Sequence, residues 1–161
     1  MVNLFPAIDK TAEKRRPKDN VGKRIKAFLR DEEVLITAVG MGNVFRNCSF
    51  DGMSFEDALY KFGRNSITHE GELDPKLKFV QNGTMKIGIR DWILPVSYIV
   101  GMSLAVVIAK ENRGEAIPAH LGVTIFDKQF QINELWGNPA PLKGHISELF
   151  QDDKLFEETQ T

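Results

Sequence analysis

The feature that most constrains this chain is its longest apolar stretch, Trp92 to Ala109, which carries no charged residue. It is borderline in length for a bilayer span and is interrupted by Pro95, Ser97, Gly101 and Ser103. A segment that is apolar nearly all round and long enough for several helical turns must be wrapped by the rest of the chain. The reading is a buried helix from Trp92 to about Glu111, the central helix of a bundle. Pro95 fits its first turn and Gly114 stands just past its end. At 161 residues the chain makes one domain with a real core around that helix.

Other elements follow from caps and periodicity. Asn20 predicts the start of a helix from Val21 to about Arg30, with Val21, Ile25, Phe28 and Leu29 on its inner face. Val34 to Phe45 is apolar but interrupted by Gly40 and Gly42. It reads as a helix, with a strand and turn as the alternative. Cys48 to Met53, with Asp51-Gly52, reads as a loop. Ser54 then offers an N-cap, and Glu56 and Asp57 suit a first helical turn. Phe55, Ala58, Leu59 and Phe62 fall on one face of that helix. Asn82-Gly83 predicts a hairpin between Lys76–Val80 and Thr84–Ile89. A second is expected across Asp127-Lys128, between Val123–Phe126 and Phe130–Leu135. Asn138-Pro139-Ala140-Pro141 reads as a break, followed by a short helix over His145–Phe150. The expected organisation is an N-terminal arm or short helix over 1–19, a single domain over 20–150 and an acidic tail over 151–161.

Charge is balanced overall, with a formal net charge of −1, but it is unevenly placed. Basic residues crowd the stretch from Lys10 to Arg30, and five acidic residues face Lys154 alone from Glu148 onward. A basic head suits contact with a polynucleotide, and equally a solvated helix face. Cys48 is the only cysteine, so no internal disulfide and no cysteine metal site is expected. Met1 to Ile8 is too short an apolar run for a signal peptide. The expectation is a soluble, cytoplasmic protein without a membrane span.

Chemistry concentrates at Arg64-Asn65-Ser66-Ile67-Thr68-His69-Glu70. In a uniform α-helix Arg64 and His69 stand about 140° apart, whereas Asn65 and His69, four apart, share a face. Such a set works best at the seam of a dimer, where two copies pool their polar groups. An imidazole moves protons near neutral pH, and a guanidinium grips phosphate and its developing charge. The bland alternative pairs Arg64 with Glu70 or Asp57 and uses His69 to cap a helix C-terminus. His69, Glu70, Glu72 and Asp74 are close in sequence but match no H-E-x-x-H site, so neither metal nor cofactor is expected. Phosphate-loop, dinucleotide and nucleophile-elbow strings are absent from the sequence.

The R-N-x-x-x-H string of Arg64, Asn65 and His69 resembles the core motif of the HEPN superfamily, small helical proteins that often act as metal-independent ribonucleases. The surroundings from Ser54 to Glu111 are also similar: an amphipathic helix ahead, an extended connector after, then a long apolar helix. The resemblance implies a mostly α (α+β) fold, a helical bundle of HEPN type with one or two small β-hairpins. It implies a homodimer acting on RNA, often in toxin–antitoxin or phage-defence systems, so an antitoxin or other partner protein is a candidate companion. The catalytic residues it implies are Arg64, Asn65 and His69. Two departures stand beside it: the acids Glu70, Glu72 and Asp74 after the motif, and no plain set of long N-terminal helices. The alternative function is a non-catalytic HEPN-like dimerisation or interaction module.

Overall fold

The structure is a computed structural model and describes residues 3–81, 85–88, 91–118 and 120–157. The fold is mixed α+β and mostly helical, with short strands at three places among the described residues.

Three helices open the chain: α1 (Leu4–Arg15), α2 (Val21–Asp31) and α3 (Glu33–Met41). The first segment is a helix docked on the core, since Phe5, Ile8 and Ala12 are buried. Helix α2 starts where the sequence places it: the Asn20 side chain accepts a hydrogen bond from the Lys23 amide at 2.9 Å. Its Ile25, Phe28 and Leu29 point inward. Helix α3 is apolar on nearly every side and ends at Gly42, whose φ of +65° closes the last turn.

The Cys48–Met53 segment, expected as a loop, contains the minimal hairpin β1 (Ser49–Phe50) and β2 (Met53–Ser54), turned by Asp51 and Gly52 at positive φ. One continuous helical segment follows, in three parts: α4 (Phe55–Ala58), a π-helical stretch Leu59–Asn65, and α5 (Ser66–Glu70). Ser54 caps it, accepting from the Asp57 amide at 3.3 Å.

Strands β3 (Leu77–Val80), β4 (Lys86–Ile87) and β5 (Trp92–Pro95) form a sheet in the order β3-β5-β4. This corrects the expected hairpin. β3 and β4 are not neighbours, because β5 lies between them, parallel to β3 and antiparallel to β4. Asn82 and Gly83 themselves lie outside the described residues. The apolar stretch beginning at Trp92 is likewise split. Trp92–Pro95 is the central strand, and the helix α6 spans only Ser97–Ile108. Trp92 and Leu94 alternate into the core as strand residues do, and Pro95, lacking an N–H, sits at the strand's end. A short 3₁₀ turn, Lys110–Asn112, follows α6.

Strands β6 (Gly122–Ile125) and β7 (Lys128–Gln131) form a hairpin near the second expected one, with Phe126 at φ +56° in its turn; its second strand starts at Lys128 instead of Phe130, and residues 132–135, expected as strand, are helical. Helices α7 (Ile132–Leu135) and α8 (Ala140–Phe150) complete the domain. The proline-rich break is the start of α8: Pro139 is its N-cap and Pro141 lies in its first turn, where a missing N–H costs nothing. The tail folds back, burying Leu155, whose carbonyl accepts from Arg46.

Helices α3 and α6 form the most extensive helix pair. Around them pack α1, α2, the Phe55–Glu70 segment, the three-stranded sheet and the C-terminal hairpin in one cluster. No helix among the described residues is long and apolar enough to cross a membrane.

Candidate functional site

The Phe55–Glu70 segment carries the motif, and its inner face fixes how the motif is presented. Phe55, Ala58, Leu59 and Phe62 are buried, and Phe55 packs against Trp92 and Tyr98 with ring centroids 5.9 Å and 4.9 Å away. Gly63, directly before Arg64, lies under the Phe5 ring of α1. A Cβ there would stand 2.6 Å from the ring carbon Cζ, so only glycine admits this contact. The backbone at Arg64 is therefore held from beneath by α1.

The π-helical register changes the angular reckoning. Bonds from i to i+5 widen each turn, so the 140° offset of a uniform α-helix does not apply across Arg64 and Asn65. Single π turns of this kind recur at functional sites. Helical bonding returns to the α pattern from Ser66 to Glu70, and Gly71 at φ +78° ends the helix just after His69.

Arg64 is half-buried. Its guanidinium carbon lies 5.8 Å from the centre of the Tyr60 ring, one turn back, and its Nη1 donates to Asn65 Oδ1 at 3.3 Å. Its carbonyl accepts from Thr68 Oγ1 at 2.8 Å. His69 is exposed in the last turn of α5. The structure thus brings Arg64 and Asn65 into direct contact. His69 stands apart on the same segment, with no hydrogen bond to either among the described residues.

The alternative pairing of Arg64 with Glu70 or Asp57 does not form among the described residues. Asp57 is taken by Lys26 at 3.0 Å and by the Ser54 hydroxyl at 2.8 Å. Burial pushes the Asp57 carboxyl up, but the hydrogen bonds from Lys26 and Ser54 outweigh it and hold the group below its ordinary value. Asp74 is also committed, accepting from the Lys76 amide at 2.8 Å. Glu70 and Glu72 point to solvent. Among the described residues no ion pair engages Arg64 or His69, and no cluster of three or more His, Cys, Asp or Glu residues could hold a metal ion.

Sequence reasoning missed Tyr60 and what lies beyond it. Tyr60 lines a recess of about 390 Å³ together with Lys23, Lys26 and Arg30 of α2. The signal was legible: Tyr60 precedes Arg64 by four residues, and the α2 cations recur at spacings of three and four.

Taken together, this is an α+β domain built on a helix pair, with a stacked arginine, its amide partner and an exposed histidine on one π-containing helical segment. The chain matches the Rv1289 family model over residues 1–155 and belongs to that family. No curated protein and no solved structure matches it.

Proposed function

We propose that this protein is an endoribonuclease of HEPN type that cleaves RNA without a metal ion, working as a homodimer. The observation that carries the reading is the state of Arg64. It is a half-buried guanidinium held by Tyr60 and Asn65 and, among the described residues, not neutralised by a carboxylate. A cation kept in place but unpaired is ready to receive a phosphate. The resemblance of the R-N-x-x-x-H string supplies the rest of the reading.

In the proposed reaction the RNA 2′-oxygen attacks the adjacent phosphorus and the bond to the 5′-oxygen breaks. The products are a 2′,3′-cyclic phosphate and a 5′-hydroxyl. His69 takes the proton from the 2′-hydroxyl, and a proton is returned to the departing 5′-oxygen by the imidazolium of the same or the second copy. Arg64 stabilises the extra negative charge on the phosphoryl oxygens at the transition state. Asn65 orients the guanidinium through the bond it already makes. Because the nucleophile belongs to the substrate, the step requires no metal-bound water. Toxin or phage-defence roles, with an antitoxin as partner, fit such an activity.

A second reading, a non-catalytic interaction module, draws on the exposed acids Glu70 and Glu72 beside His69, which repel phosphate. One experiment separates them. Mixed RNA is incubated in EDTA with wild type and with His69→Ala, and the ends are analysed. Cleavage to cyclic phosphate by wild type alone upholds the ribonuclease. Intact RNA with both proteins, with a dimer in solution, leaves the interaction module.

A further inference from the structure

We propose that the recess between α2 and the π-helical segment is a docking groove for the sugar–phosphate backbone of single-stranded RNA, leading to Arg64; the inference rests on the ribonuclease reading. The recess measures about 390 Å³ and is lined by Asn20, Lys23, Lys26, Arg30 and Tyr60, with no carboxylate in its wall. That volume accommodates a phosphate with its ribose, and the single-stranded substrate follows from the ribonuclease reading.

Lys23, Lys26 and Arg30 stand at i, i+3 and i+7 on α2, so they form one stripe about 10 Å long. The two lysines are paired with carboxylates outside the lining: Asp19 meets Lys23 at 2.9 Å and Asp57 meets Lys26 at 3.0 Å. The Lys23 side chain is 70% exposed and that of Lys26 37%, so both pairs are readily exchanged for phosphate. Arg30 is held by the buried Glu56 through Nε and Nη2, and among the described residues its Nη1 makes no hydrogen bond. Gly22 lets the Tyr60 hydroxyl rest on the α2 backbone, since a Cβ at that position would stand 3.1 Å from Oη. The same ring carries Arg64 at 5.8 Å. One aromatic side chain is therefore both the wall of the cationic recess and the support of the motif arginine. A strand following the recess reaches Arg64 across Tyr60, with contacts to backbone rather than to base edges.

The test uses the full chain and a fluorescent 2′-O-methyl oligonucleotide, which lacks the nucleophile and stays intact. Anisotropy is measured from low to moderate salt for wild type, Lys23→Gln/Lys26→Gln and Asp19→Asn, with thermal melts confirming folding. The double variant should bind about tenfold more weakly, and the slope of log affinity against log salt should shrink by roughly 1.4, or about 0.7 for each phosphate no longer neutralised. Asp19→Asn, which frees Lys23, should bind more tightly. Unchanged affinity and slope in the double variant, or no binding by wild type, overturns the groove. Cleavage of the all-ribose oligonucleotide is scored separately. Lysine-dependent binding without cleavage keeps the groove and removes the ribonuclease; cleavage that ignores both lysines does the reverse.

Discussion

Gly101 of α6 lies against the backbone of Ile36 in α3: a Cβ at residue 101 would stand 2.7 Å from the Ile36 carbonyl oxygen and 3.0 Å from its Cα. The contact is reciprocal in kind, since a Cβ at Gly40 of α3 would stand 2.9 Å from Cδ2 of Tyr98 in α6. The two central helices are thus close enough that a single methyl group meets main chain. Gly101→Ala should destabilise the fold by about 1–3 kcal/mol, because the obstacle is backbone and cannot rotate away. Gly144→Ala, where nothing lies within 4 Å, should leave stability unchanged or raise it. Thermal or urea denaturation of the two variants checks the pair.

Glu33 secures the turn after α3. Its buried carboxylate accepts from the amides of Asn47 at 2.6 Å and Cys48 at 3.0 Å. Burial raises the Glu33 pKa above its ordinary value, although those two bonds pull it down. The Cys48 thiol is pushed up to about 11, first by its own burial, then by the charge and hydrogen bond of Glu33. Glu33→Gln removes the charge and keeps the shape. Cys48 should then react several-fold faster with iodoacetamide at pH 8, because more of it is thiolate, with burial still holding the rate below that of a free thiol. An unchanged rate in the folded protein would mean that Glu33 does not set the thiol's ionisation.

Cap residues and face periodicity were legible because they act locally: Asn20, Ser54 and the inward Phe55, Leu59 and Phe62 each depend on a few neighbours in sequence. The β3-β5-β4 order was not, since Leu77–Val80 pairs in parallel with Trp92–Pro95, a partner fifteen residues on, and no short-range signal marks a pairing of that kind. That pairing also ends the apparent helix of the apolar stretch at its front, where strand and buried helix look alike in hydrophobicity. At the site, the sequence located Arg64, Asn65 and His69 on one helical segment. Neither the π register nor the burial of Gly63 under Phe5 leaves a pattern in composition, and the contact between Tyr60 and the α2 recess depends on how two helices meet.

Arg15 ties α1 to the 3₁₀ turn after α6, and this should appear in the acid limb of stability. Its guanidinium bonds Glu111 at 2.9 Å and Glu32 at 2.9 Å, and also meets Asp31 at 3.1 Å. Burial pushes the Glu111 carboxyl up, but the hydrogen bond and charge of Arg15 outweigh it, and the group sits below its ordinary value of 4.5. A carboxylate depressed by folding contributes stability above its unfolded pKa and loses it as pH falls through the lower folded value. Glu111→Gln should therefore be less stable than wild type at pH 7, with the difference narrowing as pH falls below about 4.5. Urea denaturation between pH 3 and 7 measures it, and a gap that does not narrow at all between pH 5 and 3 would assign the loss to packing instead of charge.

The geometry at Arg64 makes a sharper demand than the presence of a cation. Its guanidinium is placed by the Tyr60 ring behind it and the Asn65 amide beside it, so charge, planarity and support can be varied separately. Arg64→Ala removes all three, and under the proposed ribonuclease mechanism kcat for RNA cleavage should fall about 10²–10³-fold, the size of effect seen when a donor to a developing oxyanion is removed. Arg64→Lys keeps charge but loses the flat fork that stacks and donates twice, so it should recover little of that activity. Tyr60→Leu leaves Arg64 in place without its platform, and kcat should drop while Tyr60→Phe, which keeps the ring, restores it. Melting temperatures should move little across the Arg64 variants, since among the described residues that side chain closes no ion pair. If Arg64→Lys cleaves as fast as wild type, the stacked guanidinium has no catalytic role and only local positive charge matters.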